Sequence, residues 1–517
     1  MAGVAMTQTP KHGHSQLAAK VATPTETPAG SQSNGVPTAK GGRDLPFYPD
    51  ADDPQHLAFS GQANLTYGRV DALLCKLHGM LAQHGIGPGL VVSLQFRDEV
   101  VHALCLMAVG RSGATAFCIP KMASQMQRSR MMQEVGSTLI LGDNPDEDGT
   151  AGYVYLTLPP EETIAPYADR PESPPRGTWL ITNSSGSTGK PKLIPVDHQT
   201  LSNRLHLYRS ALGKSRQDRV ASLTGLDLPS TKNQMLSTLF AGATYVFKAS
   251  ERQTLGSFLH DEGITILYTT PAHLHQLLTV PPTEMKSLRA IVAAGAPIGA
   301  GLRHRIRDLF GDILFVRYGT SESGPISDAT PADAVRIDGT VGKAIAGVQI
   351  DILAADGAPL PAGVPGSIRV RSPGLFSGYL GQDAPVAKES GFLTGDLGFL
   401  TQDGNLIHLG REDDMILMNG MNIYPAELEQ ALSEHPAIVA ACVRPMPHPV
   451  LDAVPIAFVE RAPGTQISEH EVLEFCKARL GPRAARRVIV LDHIPRNESG
   501  KPNRAALDSL LAEGRLA

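Results

Sequence analysis

The chain has 517 residues, 42% of them hydrophobic and 19% charged, with a formal net charge of −5. That length exceeds one ordinary core, so at least two domains are expected, and the mild acidity without a long basic run argues against a nucleic-acid partner. No apolar run reaches the ~18 residues of a membrane-spanning helix, so no membrane association is expected.

Residues 1–44 are rich in Thr, Pro, Ser, Gly, Ala and Gln, with few large apolar side chains. Such a segment cannot offset its ordering entropy by burial and reads as a disordered tail. It lacks the apolar stretch of a secretory signal. From Asn64 the pattern becomes globular. Val70, Leu73, Leu74, Leu77 and Leu81 recur at helical spacing, and Gly85 to Gly89 then break the helix. Leu90 to Leu94 predicts a strand, Val100 to Val109 an apolar helix, and Gly113 to Pro120 another strand. The alternation returns at Leu288–Ala293, Ile298–Phe310 and Ile313–Val316. It predicts α/β layers with parallel pairing. Residues 161–176, full of prolines and charges, read as a surface connection.

From Asp338 to about Leu409 short β-like runs alternate with Gly and Pro, which predicts a β-rich subdomain. After Arg411 a compact segment follows, with helices at Pro425–Leu432 and Glu469–Leu480 and strands at Ile438–Arg444, Pro455–Val459 and Arg487–Val490. Cys75, Cys105, Cys118, Cys442 and Cys476 lack CxxC spacing. They read as small buried hydrophobes of a reducing, cytoplasmic compartment.

Five segments carry chemistry. Thr182 to Lys192 (TNSSGSTGKPK) follows a strand-like Thr178–Ile181. Glycines admit backbone N–H groups close to an anion, while hydroxyls and lysines add donors and charge, so a polyphosphate is the natural guest. The alternative is a flexible surface loop. It is not a Walker A loop, since Gly186 and Gly189 are only three apart and Lys190 precedes a proline. Arg317 to Gly324 (RYGTSESG) offers an aromatic ring to stack on a base, hydroxyls for phosphate oxygens, and one carboxylate for a hard cation. The alternative is a polar turn. The pair Gly395-Asp396 offers a carboxylate able to accept from two ribose hydroxyls, or marks a simple turn. Gly410 to Ile416 with Asn419 to Glu429 forms the fourth segment. The fifth is Pro495 to Arg504, where Lys501 follows a glycine and can swing into a distant site.

In this order and spacing, the five segments resemble the signature motifs of the adenylate-forming superfamily, over roughly residues 45–510. That group holds acyl- and aryl-CoA synthetases, adenylation domains of peptide synthetases and beetle luciferases. The resemblance implies a large N-terminal α/β adenylation domain at 45–410 with its β-rich subdomain, a hinge at 411–413, and a small mobile C-terminal α+β lid at 414–517. It implies that an acid is converted to its acyl-adenylate with ATP and Mg²⁺ and passed to a thiol. The acceptor is coenzyme A or the phosphopantetheine of a carrier protein acting in trans.

Residue by residue, Ser184, Ser185, Gly186, Ser187, Thr188, Gly189, Lys190 and Lys192 resemble the loop that holds the β- and γ-phosphates. Gly295, Ala296 and Pro297 resemble the adenine-side loop, and Tyr318 the stacking aromatic, followed by Gly319 and Thr320. Ser321 stands where a Thr is usual and keeps the hydroxyl. Glu322 resembles the Mg²⁺ carboxylate, Asp396 and Arg411 the ribose pair, and Asp413 the hinge. Gly420 resembles the glycine beside the thiol tunnel, and Lys501 the lysine that catalyses adenylation.

Two departures bear on the substrate. A histidine usual in acyl- and aryl-CoA synthetases, about fifteen residues before a Gly-Ala pair, is here Asp227, as counted from Gly242-Ala243. A carboxylate there is more like amino-acid-activating relatives. Ser230, Thr231, Asn233 and Gln234 also make this wall polar for a fatty-acid tunnel, which suggests a small acid bearing an amino or hydroxyl group. The alternative is that Asp227 turns away onto the backbone. Asn419-Gly420-Met421-Asn422 replaces the more usual Gly-Gly-Glu-Asn and adds a side chain near the thiol path. The leading expectation is an acyl- or aryl-CoA ligase. The others are a stand-alone enzyme that loads a carrier protein with an amino or hydroxy acid, and a catalytically dead nucleotide-binding relative.

Overall fold

The computed structural model describes residues 53–147, 152–157, 177–183, 192–250, 252–382, 386, 388–462, 464–496 and 501–512. The N-terminal tail, the connection at 161–176, and residues 184–191 and 497–500 of two motifs lie outside them.

The first predicted helix is found at Tyr67–Gln83, capped by the Thr66 hydroxyl and burying Val70, Leu73, Leu74, Leu77 and Leu81. The next, Glu99–Arg111, begins at Asp98, whose carboxylate accepts from the N–H groups of Val100 and Val101. Every residue from Val100 to Arg111 is buried, as its all-round apolar sequence requires. Its last residue, Arg111, pairs with Asp71 at 2.7 Å inside the core.

Two sheets build the large domain. One has the order Tyr153–Tyr155, Leu139–Gly142, Val91–Gln95, Thr115–Cys118, Thr178–Asn183, Leu193–Asp197, parallel except for its last pair. The other is parallel at its centre, where Thr244–Phe247, Arg219–Ser222, Ile266–Thr269, Ala290–Ala294 and Leu314–Thr320 lie side by side. Ligands of such sheets bind outside the carboxyl ends of the strands. The candidate adenine-side glycine, Gly295, and the motif residue Tyr318 lie there.

The β-rich stretch differs from a free-standing unit. After Gly324, which has φ +73°, the chain turns back and pairs antiparallel with Leu314–Thr320. Hydrogen bonding then runs on through Thr340–Ala344, Leu406–Arg411, Phe392–Leu400, Gly366–Arg371 and Gln349–Leu353. The stretch extends the parallel sheet while keeping a small core of its own around Ile326, Ile352, Ile368 and Leu406. Short runs between glycines predict strands but not which edge they join.

The C-terminal segment forms a five-stranded sheet, with Arg487–Leu491 parallel to Asp452–Arg461. Its core, from Ile416 to Leu507, shares no residue with those of the large domain. The two bodies meet closely. A Cβ placed on Gly299 would lie 3.0 Å from the Ser433 Cβ and 3.3 Å from the Gln430 carbonyl. A side chain there would crowd the end of the helix Pro425–Leu432 against this turn.

Candidate active site

The carboxyl ends of the central strands and the edge of the antiparallel extension gather residues from four of the five motifs. Asp396 is the focus. Its Oδ2 accepts from the Tyr318 hydroxyl at 2.5 Å and lies 3.7 Å from His408 Nε2. Its Oδ1 accepts from Arg411 Nη1 at 3.3 Å. Burial pushes the Asp396 carboxyl up, but bonding from His408 and Tyr318 and the Arg411 charge outweigh it and hold the group below its usual range. Asp396 and Arg411 are cross-strand partners, so the sheet register itself sets the pair. Gly395, with φ +73°, lies under the guanidinium: a Cβ there would sit 2.9 Å from Arg411 Nη2.

Glu322 is held at both ends. Its carbonyl accepts from Arg204 Nη2 at 2.7 Å and from the Phe376 N–H at 2.9 Å, and its Oε1 accepts from the Tyr379 hydroxyl at 3.0 Å. The Tyr379 ring lies 4.9 Å from Lys192 Nζ, which links the Glu322 carboxylate to the start of the strand Leu193–Asp197. Thr320 Oγ1 stands 2.9 Å from Ser323 Oγ and accepts from the Ser323 N–H, closing the turn that carries the half-buried Ser321.

Lys501 reaches this place from the far end of the chain. A Cβ on Gly295 would lie 3.7 Å from its Cε. Its ammonium feels the fields of Asp396, Arg411 and Glu322 together. Burial is the main force lowering its pKa. Arg411 acts the same way, and Asp396 and Glu322 oppose. A buried lysine whose pKa is lowered loses its proton below the ordinary lysine range. If the charged form is what acts, adenylation should fall on the alkaline side at a pH below that range. A pH–rate profile checks this, and Lys501→Arg should move the alkaline limb upward.

The structure does not gather every candidate. Residues Ser184, Ser185, Gly186, Ser187, Thr188, Gly189 and Lys190 lie outside the described residues, between strands paired at Asn183 and Leu193. Ala296 and Pro297 are exposed beyond the end of Ala290–Ala294. Gly420, with φ +76°, and Asn419, with φ +49°, form the tip of a hairpin in the small domain. A Cβ on Gly420 would meet nothing within 4 Å. Asp413 is exposed, whereas its neighbour Asp414 is buried and paired to Arg444 at 3.3 Å and to Arg504.

Asp227 is half-buried and turned back on its own loop. A Cβ on Gly225 would lie 2.8 Å from Asp227 Oδ1 and 3.2 Å from Glu99 Oε1. Lys232 fixes the loop by donating to the carbonyls of Leu226 and Asp227 at 2.9 and 2.8 Å. Burial, reinforced by the Asp227 charge, raises the Glu99 pKa. Asn233 is buried on the helix Pro229–Phe240, facing Tyr208. Tyr379, His408, Arg204, Glu99 and Lys232 were not foreseen. Each is an ordinary side chain outside the motif strings, and Tyr379, Arg204 and Glu99 are remote in sequence from the residues they touch.

Residues 49–380 match the AMP-binding enzyme family, and residues 427–501 match the AMP-binding enzyme C-terminal domain. The chain belongs to the AMP-binding enzyme family. Its relatives include the 2-succinylbenzoate–CoA ligase of Bacillus subtilis, 28% identical over 84% of this chain and 91% of that protein. The non-canonical nonribosomal peptide synthetase CymA of Salinispora arenicola, described as probable, is 27% identical over 86% of this chain and 6% of that protein. Among solved structures, the O-succinylbenzoate coenzyme A synthetase of Bacillus subtilis in complex with AMP superposes with a TM-score of 0.76. It is 25% identical, covering 88% of this chain and 95% of that one. As an AMP-binding enzyme with both domains of the family, the chain has the machinery for acid adenylation followed by transfer to a thiol.

Proposed function

We propose that the protein is an AMP-forming acyl- or aryl-CoA ligase, in which ATP and a small carboxylic acid give an acyl-adenylate that coenzyme A then takes up. The observation that carries this reading is the position of Lys501, brought by the C-terminal domain against Gly295 and into the fields of Asp396, Arg411 and Glu322.

A carboxylate is a poor acyl donor because its charge is delocalised and its oxygen leaves badly. When its oxygen attacks the α-phosphorus of ATP, pyrophosphate departs and AMP becomes the leaving group. The transition state spreads negative charge over phosphoryl oxygens, so prepositioned cations matter more than proton transfer. In our reading Lys501 supplies the charge, with Lys190 and Lys192 on the phosphates. Asp396 and Arg411 hold the ribose, and the Tyr318 ring flanks the base. Thr320, Ser321 and Gly319 form the turn that approaches the α-phosphate.

Magnesium fits this site. Glu322 keeps Oε2 outside the hydrogen bond that Tyr379 makes to Oε1. A single carboxylate together with substrate phosphates is the usual way such a cation is held. Bound there, it would offset negative charge on the phosphates.

Thiol transfer needs a second orientation of the small domain. Here Lys501 is docked and Gly420 faces open space. Rotation about the 411–413 segment, with Asp413 as the hinge, would withdraw the lysine and bring Gly420 toward the acyl group, letting one site serve two half-reactions. We assign 45–410 and 414–517 as the bodies that move. Among the described residues no helix is long and apolar enough to cross a membrane, and none of the five cysteines is in a disulfide. Both agree with the proposed cytoplasmic setting.

A second reading is favoured by the loop at Asp227: a stand-alone enzyme that activates an amino- or hydroxy-bearing acid and loads a carrier protein. Asp227 stands where the histidine is usual, and the Glu99 carboxylate lies against the same loop. Asp227→Ala is expected to lower kcat/KM for an amino-bearing acid by about 10-fold or more, a lost hydrogen bond to a charged group being about 1.5–3 kcal/mol. Unchanged kinetics would remove the basis of this reading. The acceptor separates the two: release of AMP driven by coenzyme A favours the first, and acylation of a carrier protein the second.

A further inference from the structure

The 411–413 segment is bounded at both ends by charge pairs. On the large-domain side Arg411 meets Asp396 at 3.3 Å. On the small-domain side stands Asp414, 6% exposed, while Glu412 and Asp413 between the two pairs are exposed. Asp414 Oδ1 accepts from Arg444 Nη1 at 3.3 Å, and its Oδ2 is ion-paired to Arg504. Arg444, on the strand Ile438–His448, turns its remaining nitrogens to Asp508. There Nε and Nη2 donate to the two carboxylate oxygens at 2.7 and 2.8 Å, a bidentate pair. Arg504 and Asp508 lie one turn apart on the helix Arg504–Ala512. Asp414 and Arg444 together therefore grip that helix by its first turn.

The same turn is the root of Lys501, which stands three residues before Arg504. The base of the lysine's loop is closed. The Asn503 N–H donates to the Pro495 carbonyl at 2.7 Å, and Arg496 and Pro502 form an antiparallel bridge. From Asp414 to Lys501 the contacts are thus continuous and lie within the small domain. Across the hinge, Arg504 faces the ribose pair. Burial is the main force lowering the Arg504 pKa; the Arg411 charge adds to it, and Asp508 and Asp396 oppose. Two guanidiniums therefore approach each other while the small domain is docked. Asp414 is the buried carboxylate set against one of them, and a partly buried cation beside a like charge needs such a partner.

We propose that Asp414 is a positioning residue for adenylation: it joins the exit of the hinge to the root of Lys501, so that rotation about 411–413 carries the lysine into and out of the site as one rigid piece. The inference rests on the reading of Lys501 as the adenylating lysine and adds the residue that aims it. Asp414 touches no reacting atom, and its effect passes through Arg504 and the helix behind it. Without its charge, Arg504 would face Arg411 uncompensated and the helix would lose an anchor. Lys501 would then be loosened, while the body of the small domain stays held by its own apolar core.

The test is Asp414→Asn in the full chain, which keeps the shape and removes the charge. ATP–pyrophosphate exchange, with an acid that supports it in the unmodified chain, should fall roughly 10–10²-fold, the scale on which misplacing a group by about 1 Å acts. Transfer from supplied acyl-adenylate should persist. Arg504→Gln should reproduce the loss, and Arg504→Lys, which keeps a cation against Asp414, should lose less. A second readout needs no acid: labelling of Lys501 by an amine-reactive reagent, followed by peptide mass spectrometry. It should be faster in Asp414→Asn than in the unmodified chain, with the other lysines unchanged. Exchange and labelling both at the unmodified level overturn the proposal. So does an equal fall of both half-reactions, which would make Asp414 a support of the small domain alone. Absence of exchange by the unmodified chain with every acid would overturn the ligase reading instead, and the labelling result would then decide by itself whether Asp414 aims the lysine.

Discussion

Lys501→Ala is expected to lower ATP–pyrophosphate exchange by on the order of 10²–10³, the effect of removing one prepositioned charge-stabilising group. Transfer of the acyl group from supplied acyl-adenylate to the thiol should persist, because in the proposed domain rotation that step proceeds with the lysine withdrawn. The expectation follows from where the lysine sits: half-buried, against Gly295, facing Asp396 and Glu322. Measuring both half-reactions on one preparation separates a catalytic loss from a folding loss. A variant that keeps full exchange would remove Lys501 from the chemistry, and one that loses both half-reactions alike would point to disruption of the small domain.

The second large effect is expected at Asp396. Asp396→Ala removes the acceptor for the Tyr318 hydroxyl and the partner of Arg411, and with it the proposed anchor for two ribose hydroxyls. Hydrogen bonds to a charged acceptor contribute about 1.5–3 kcal/mol each. Two of them correspond to a rise in KM for ATP of roughly 10²–10⁴. If the ribose contacts are equal in ground and transition states, kcat should change far less. Asp396→Asn keeps the shape and one acceptor oxygen, and should fall between. Steady-state exchange at varied ATP checks both variants. An unchanged KM for ATP would place the ribose elsewhere.

Much of the architecture was legible because it is local. Apolar spacing at Val70, Leu73, Leu74, Leu77 and Leu81 gave the helix Tyr67–Gln83, and the unbroken apolar run from Val100 gave a helix buried on every side. Less legible was what depends on distant pairing. The β-like runs after Asp338 were read as a subdomain, but nothing in them says that Thr340–Ala344 pairs with Gly324–Ala329 and so continues the parallel sheet.

The site divides the same way. Motif positions such as Asp396, Arg411 and Glu322 could be named because glycines and charged side chains stand together in short strings. Their supports could not: His408 and Tyr379 are defined by a distance to a carboxylate. Asp227 marks the limit. Counting names this position, but the Glu99 carboxylate near it comes from another helix and is not legible from the count.

The most direct measurement is ATP–pyrophosphate exchange by the purified chain against a panel of fatty, aryl, amino and hydroxy acids. Acid-dependent exchange with one class is expected, lost in Lys501→Ala and weakened in affinity for ATP in Asp396→Ala. Absence of exchange with any acid, alongside intact nucleotide binding, would contradict it and make the chain a nucleotide-binding relative without the ligase reaction.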